Sequence, residues 1–293
     1  MYECFLEIAF EAELNTSEDP ECLELAKTLC NENPITRNAV IAELRDMIFE
    51  RGECSPPRTD DSFLLRFLRA RHFAVPRAHR LLVRYCLFRK QYAHLYDGVD
   101  LWGLCKVKGA YEGSMSDHPS IGRLSVFRFG TWDPSEFGVE ELVKAGTAIV
   151  EIGTRTPKMQ ILGGTAIVDL DGITLRHVAT LTPTVAYQIV ALMGVATPAR
   201  LRSCHIINYS WIINTFFYLF KRFIPKDTWE HIYFHGYDLK SLHQHIPPEL
   251  LPPRYGGTNR NYTTIGTWLQ KIRKYRDEAF DEEMKALGYV VKE

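Results

Sequence analysis

Residues 164–170 read GTAIVDL, a short run of small and β-branched residues that passes through Asp169 into Asp171 and Gly172. A compact apolar run closed by a glycine turn is the pattern of a buried strand. A helical pattern precedes it at 139–158 and another follows at 183–194. Three further runs read the same way: RLSVFRF (123–129), SCHIIN (203–208) and HIYFHG (231–236). Strands alternating with helices at these lengths predict the α/β class, with βαβ units forming a mixed, mostly parallel sheet flanked by helices.

Working outward, the first hundred residues predict a small all-helical unit. Pro34 opens a pattern in which Val40, Ile41, Leu44, Met47 and Ile48 share a face, and Asp60, Asp61 and Ser62 are N-cap candidates for the next helix. Pro76 sits where a first-turn proline belongs. Residues 1–33 are acidic and weakly periodic, which leaves a loose arm and a short helix both open. Beyond the sheet, IPPELLPPRYGG (246–257) enforces an irregular passage, and a charged helix is expected from Ile265 to Leu287 with Trp268, Leu269, Ile272 and Tyr275 buried. The expected division is an arm at 1–33, a helical domain at 34–100, an α/β domain at 101–257 and a helical extension at 258–293.

The 293 residues, 46% hydrophobic, suffice for a real core, and a net charge of −1 argues against bulk nucleic-acid binding. Glu3, Glu7, Glu11 and Glu13 make the N-terminus unlike a basic targeting segment. Seven scattered cysteines without CxxC spacing fit reduced thiols of the cytosol rather than a disulfide framework or a zinc site. No GxGxxG, Walker or GxSxG motif is present. Gly163-Gly164 and Gly256-Gly257 read as turn glycines. His231 and His235 fall on a strand pattern without HExxH, and Asp169 and Asp171 lack a neighbouring base and read as caps. The expectation is no catalytic residue, no metal and no cofactor.

The most apolar stretch is IINYSWIINTFFYLFKRFI (206–224), whose uninterrupted parts fall short of the ~20 residues a membrane span needs. As a helix it gathers Ile213, Phe216, Phe217, Phe220, Phe223 and Ile224 on one face, and Trp211, Thr215, Tyr218 and Arg222 on the other. Two readings stay open: a core helix covered by another element, or a lid with its outer aromatics at a membrane interface. Val143, Gly146, Val150, Gly164, Ile167, Leu192, Met193, Leu201, Ile213 and Phe217 are candidates to line an apolar space between sheet and helices. An ordinary filled core has the same periodicity.

DSFLLRFLRARHF (61–73), WDP (132–134), VDLDG (168–172), HIIN (205–208) and LPPRYGG (251–257) stand in the order found in the CRAL-TRIO (Sec14-like) lipid-binding proteins. The chain resembles that family from about Pro34 to Gly257, most nearly its α-tocopherol-transfer and retinaldehyde-binding branch. The resemblance implies a helical N-terminal domain and an α/β domain with a gate, from Asn208 to about His231, over a hydrophobic pocket. It also implies a monomeric, non-enzymatic carrier of one small hydrophobic ligand (a tocopherol, retinoid or other isoprenoid-like lipid), cytoplasmic and transiently peripheral at membranes.

At the family's ligand positions the chain retains Tyr111 and carries Gly146, Val150, Gly164, Val168 and Thr197, which implies a pocket of different shape; Ile213, Phe217 and Phe220 are expected to face the ligand. Trp211 and Tyr218 are expected to face the membrane. At the family's phosphoinositide-binding positions Arg71, Arg200 and Arg202 are present, with Lys221, Arg222 and Lys226 nearby, whereas Asp227 and His231 depart from the basic pattern. The alternative reading is a phosphoinositide-responsive lipid sensor that transfers no cargo.

Overall fold

A computed structural model describes residues 14–107, 109–209 and 218–292. The chain begins with helix α1 (Pro20–Cys30), which settles the ambiguity of the acidic arm from residue 20 onward. The Asp19 carboxylate accepts the N–H of Cys22 at 2.7 Å, and Asn31 closes the helix in the left-handed region at φ 56°. Helices α2 (Arg37–Arg51), α3 (Asp61–Ala70) and α4 (Val75–Gln91) follow. Asp60 is the N-cap of α3, accepting from Phe63 at 3.1 Å, and α4 carries proline in its first turn. Phe63, Phe67 and Tyr85 form the centre of this unit, with Phe67 5.3 Å from each of the other two rings.

A six-stranded sheet follows, in the order β5-β4-β3-β2-β1-β6. Strands β2 (Gly122–Arg128), β3 (Gly164–Asp169), β4 (Leu201–Ile207) and β5 (Ile232–Gly236) are parallel neighbours. Strands β1 (Tyr111–His118) and β6 (Tyr262–Thr264) add an antiparallel edge. Between the strands run α5 (Val139–Gly153), α6 (Pro157–Leu162), α7 (Leu175–Thr180) and α8 (Pro183–Val190), then α9 (Lys226–Trp229) and α10 (Leu239–His243). The chain ends in α11 (Ile265–Tyr275) and α12 (Glu278–Ala286). The architecture is the mixed sheet with flanking helices that the strand pattern predicts.

Several elements differ from the sequence reading. The run 139–158 is not one helix: it stops at Gly153, and Pro157, which lacks an N–H, starts α6. The C-terminal helix also divides, because the Asp277 carboxylate accepts from Phe280 at 2.8 Å and begins a second helix with its own cap. The run 183–194 ends as helix at Val190 and closes through a wider turn with Gly194 at φ 91°. Strands β1 and β6 and helix α7 were not expected; YEGSMSDH is too polar, and YTT too short, to stand out as strands.

Buried charges join the parts. Arg69, fully buried, donates from Nε to Glu32 at 2.8 Å and from Nη1 to Gln160 at 2.8 Å, tying α3 to α6. The Tyr85 hydroxyl donates to Glu151 on α5 at 2.8 Å. On α12, Glu283 accepts from Arg155 Nε at 2.7 Å and also pairs with Arg66 and with Arg58. Burial alone would raise the Glu283 carboxyl; the charges of Arg66, Arg155 and Arg58 outweigh it and hold the group below its ordinary 4.5.

A carboxyl held low in the folded state contributes stability above its unfolded value and loses it as pH falls through the folded value. The urea midpoint should therefore drop between about pH 5 and pH 3. Glu283→Gln should flatten part of that slope and, by leaving guanidinium charge uncompensated, cost about 3 kcal/mol at neutral pH. Chemical denaturation across the pH series checks both, and an unchanged slope in the variant would exclude Glu283 as a contributor.

Candidate functional site

Side chains alternate along a strand, so each strand serves two faces of the sheet. On one face Leu124, Val126, Ile167 and Ile207 pack with Leu242, Ile246, Leu251 and Tyr255 into a filled core. The other face bounds a cavity of about 210 Å³ against α5, α8 and α11. Strand positions on this wall include Tyr111, Gly113, Ser125, Phe127, Ala166 and Val168; α5 contributes Val143, Gly146, Ile149 and Val150, and α11 contributes Trp268. The space exists because small residues face it from both sides. A Cβ on Gly146 would stand 3.0 Å from the Leu192 Cδ1, and one on Gly113 would meet only the Tyr111 ring and hydroxyl, at 3.5 Å or more.

The lining is almost wholly apolar. Two of its hydroxyls pair with each other, Tyr111 Oη lying 3.1 Å from Ser125 Oγ, with the Tyr111 ring 5.1 Å from that of Phe127. Cationic groups stand at the end where β2, β3 and β4 begin: Arg123 and Arg200 both border the cavity. Arg200 donates from Nη1 to the Ile161 carbonyl at 2.8 Å and to Cys30 Sγ at 3.3 Å, which links α1 to this end.

Of the residues predicted to face a ligand, Tyr111, Val143, Gly146, Val150, Gly164, Val168, Leu192, Met193 and Leu201 border the cavity. Ile167 does not. It is buried in the opposite core, because neighbours in a strand point to opposite faces and Val168 takes the cavity side. Phe220 is half-buried and lies outside the lining, and Thr197 is a buried turn residue whose hydroxyl donates to the Leu192 carbonyl at 3.1 Å. Ile213, Phe217 and Trp211 fall outside the described residues. Tyr218 is 73% exposed. Missed by the sequence reading were Ser125 and Phe127, although the alternation in RLSVFRF offered them, and Trp268, assigned there only to a helix core.

Arg71, Arg200 and Arg202 lie at the junction of the helical unit with the strand ends. Arg71 donates from Nη2 to the Gly194 carbonyl at 2.6 Å. Burial, then the charges of Arg84 and Arg77, pull its guanidinium down to about 10. Arg202 donates to the carbonyls of Leu162 and Ser120, and burial followed by the Arg200 charge lowers it as well. His72 is lowered by burial and then by Arg200, with Arg71 and Arg77 adding to it. Lys221, Arg222 and Lys226 are exposed; Lys221 Nζ lies 5.8 Å from the centre of the Trp229 ring, and the Arg222 guanidinium 4.6 Å from that of Phe223.

At the outer strands, buried histidines form a chain that the motif search did not anticipate. His205 Nδ1 lies 2.9 Å from His235 Nε2, His205 Nε2 lies 2.9 Å from Ser203 Oγ, and His235 Nδ1 lies 2.8 Å from Ser241 Oγ. Burial, then His235 and His245, bring His205 down to about 3, so the pair is neutral and can share a hydrogen bond. The six described cysteines are free thiols. Among the described residues no helix is long and apolar enough to cross a membrane.

Comparison with known proteins gives a consistent result. The CRAL/TRIO domain model matches residues 122–257, and the CRAL/TRIO N-terminal domain model matches residues 32–84. Clavesin-2 of Homo sapiens is 32% identical over 274 residues, 92% of this chain and 83% of that protein. Clavesin-1 of Mus musculus is 32% identical over 278 residues, 93% of this chain and 78% of that protein. The crystal structure of Sfh5 aligns with 84% of this chain and 99% of its own, at TM-score 0.48 and 13% identity. With both domain models matched in order and the clavesins similar along most of their length, the chain belongs to the CRAL/TRIO family of Sec14-like lipid-binding proteins.

Proposed function

We propose that this protein is a carrier that encloses one small hydrophobic molecule, of the tocopherol, retinoid or isoprenoid kind, and exchanges it at membranes. The observation that carries this reading is the apolar cavity on one face of a sheet whose other face is filled. Moving a ligand from water into such a space gains roughly 25 cal/mol per Å² of apolar surface buried. The paired hydroxyls of Tyr111 and Ser125 offer a ligand a polar contact on the sheet wall, and Arg123 and Arg200 border one end of the space. No chemistry on the ligand is needed in this reading; the working unit is the cavity domain, taken as 101–257, braced by the helical domain at 34–100.

Release requires an opening, and the segment from Asn208 to about His231 is the proposed gate. Tyr218 at 73% and Tyr237 at 69% exposure are amphipathic rings suited to a membrane interface. A membrane that binds one conformation more tightly shifts the population toward it. A second reading, a sensor that responds to a phosphoinositide, draws support from the arginine cluster, where burial and mutual repulsion leave a place for anionic charge.

Three measurements test these proposals. Gly146→Leu fills the cavity, and its gain in helix propensity of about 1 kcal/mol is set against the 3.0 Å approach of its Cβ to Leu192, so thermal stability should change little as cargo loading, read by native mass spectrometry, falls about tenfold. Normal loading in this variant would rule out the cavity as the cargo site. Trp211→Ala with Tyr218→Ala should slow transfer between vesicles several-fold with equilibrium binding intact; an unaltered transfer rate removes the membrane-facing role. Substituting Arg71, Arg200 and Arg202 by Gln should weaken binding to phosphoinositide vesicles about tenfold relative to phosphatidylcholine vesicles. If the unsubstituted protein already treats both vesicles alike, the phosphoinositide reading fails and the carrier reading does not.

A further inference from the structure

A second, polar cleft lies where α3, the α5–α6 connection and α12 meet. At one end its charges are matched. Arg69 meets Glu32 at 2.8 Å, and Arg37 meets Glu18 at 2.6 Å and Glu32 at 3.1 Å. At the other end they are not. Arg58, Arg66 and Arg155 converge on the single carboxylate of Glu283, with Arg58 also held by Asp60 at 2.8 Å. Asp61 is engaged by Arg45, and Glu282 stands exposed at the rim. Arg66 is 2% exposed, and its Nε and Nη1 have no hydrogen-bond partner among the described residues.

Buried guanidinium N–H groups without acceptors are an unfavourable arrangement for a folded protein, and a filled acceptor position would relieve it. We propose that this end of the cleft binds an oxyanion of the phosphate class, held by Arg58, Arg66 and Arg155. Several strong acceptor oxygens on one centre suit guanidinium groups arriving from three elements, and an anion offsets the positive charge that Glu283 and Asp60 together leave on the three arginines. Water could accept the same hydrogen bonds but would leave that charge uncompensated. The site is separate from the cluster of Arg71, Arg200 and Arg202. It shares one wall with the cavity: Thr154 and Met159 face the cavity while Arg155 and Gln160 face the cleft, so an anion here braces the connection that closes the cargo space.

The test is calorimetric titration with inorganic phosphate, with a soluble inositol trisphosphate, and with phosphoinositide vesicles against phosphatidylcholine vesicles, together with thermal unfolding in phosphate against chloride of equal ionic strength. Saturable stabilisation by phosphate and not by chloride is expected. Glu283→Gln, which removes the competing carboxylate, should bind phosphate about tenfold more tightly and recover in phosphate the stability it loses in chloride. Arg58→Gln, at a more exposed position, should fold normally and bind about tenfold more weakly. Binding of the soluble anions alone identifies a free phosphate compound; vesicle binding that depends on Arg58 identifies a lipid headgroup. No saturable phosphate effect in either the unsubstituted protein or Glu283→Gln overturns the proposal, as does phosphate binding indifferent to both Arg58→Gln and Glu283→Gln.

Discussion

A sheet with parallel strands at its centre has to be covered on both faces, and this protein covers them unequally. The face bearing Leu124, Val126, Ile167 and Ile207 is packed to completion by α10 and the irregular passage through Leu251 and Tyr255. The opposite face carries Gly113, Gly164 and Ala166 on the cavity wall, and α5 answers with Gly146 rather than filling the gap. Interiors are normally close-packed, and a void forfeits dispersion contacts on every wall. A cavity maintained by small residues on both sides is therefore a cost that a ligand can offset.

Supporting such a void requires a rigid surround, which explains the concentration of buried charge at the unit boundaries. Arg69 and Arg66 on α3 are nearly inaccessible, and each reaches a carboxylate distant in sequence: Glu32 in one case, Glu283 in the other. Buried ion pairs are weak sources of net stability, since desolvation opposes their attraction. Their geometry is nonetheless demanding, and a guanidinium held from three directions fixes the elements that hold it. The helical unit, α6 and α12 are thus set around the cavity by directional contacts as well as by apolar packing.

How much of this was legible in the sequence follows from which signals are local. Parallel strands buried on both faces announce themselves as short β-branched runs, and β2 to β5 were read to within about two residues. The antiparallel strands lack that composition, YEGSMSDH being polar and YTT short, so β1 and β6 stayed hidden. Cavity residues on α5 were legible because a helical face is periodic, whereas Ile167 was misplaced because an apolar run conceals which residues face which way until the neighbouring strands are known. The convergence of Arg58, Arg66 and Arg155 on Glu283 joins residues as many as 225 positions apart, and no local pattern reports it. Similarly, His235 was read against His231 and His205 only within HIIN, and the bond between His205 and His235 runs across strands.

Those two histidines bear on the segment between them. β4 ends at Ile207 and β5 begins at Ile232, so the two strands are the fixed ends of the proposed gate. The upstream end is secured by Asn208, in the left-handed region at φ 54°, whose N–H donates to Gly236 O at 2.6 Å and whose Nδ2 donates to Asp169 at 2.9 Å. The downstream strand is secured by the His205–His235 hydrogen bond and the Ser241 hydroxyl. Because His205 is kept neutral down to about 3, that bond persists across the physiological range. Polar contacts on both sides thus hold the two strands independently of the segment that joins them, so the proposed gate could open without unravelling the sheet.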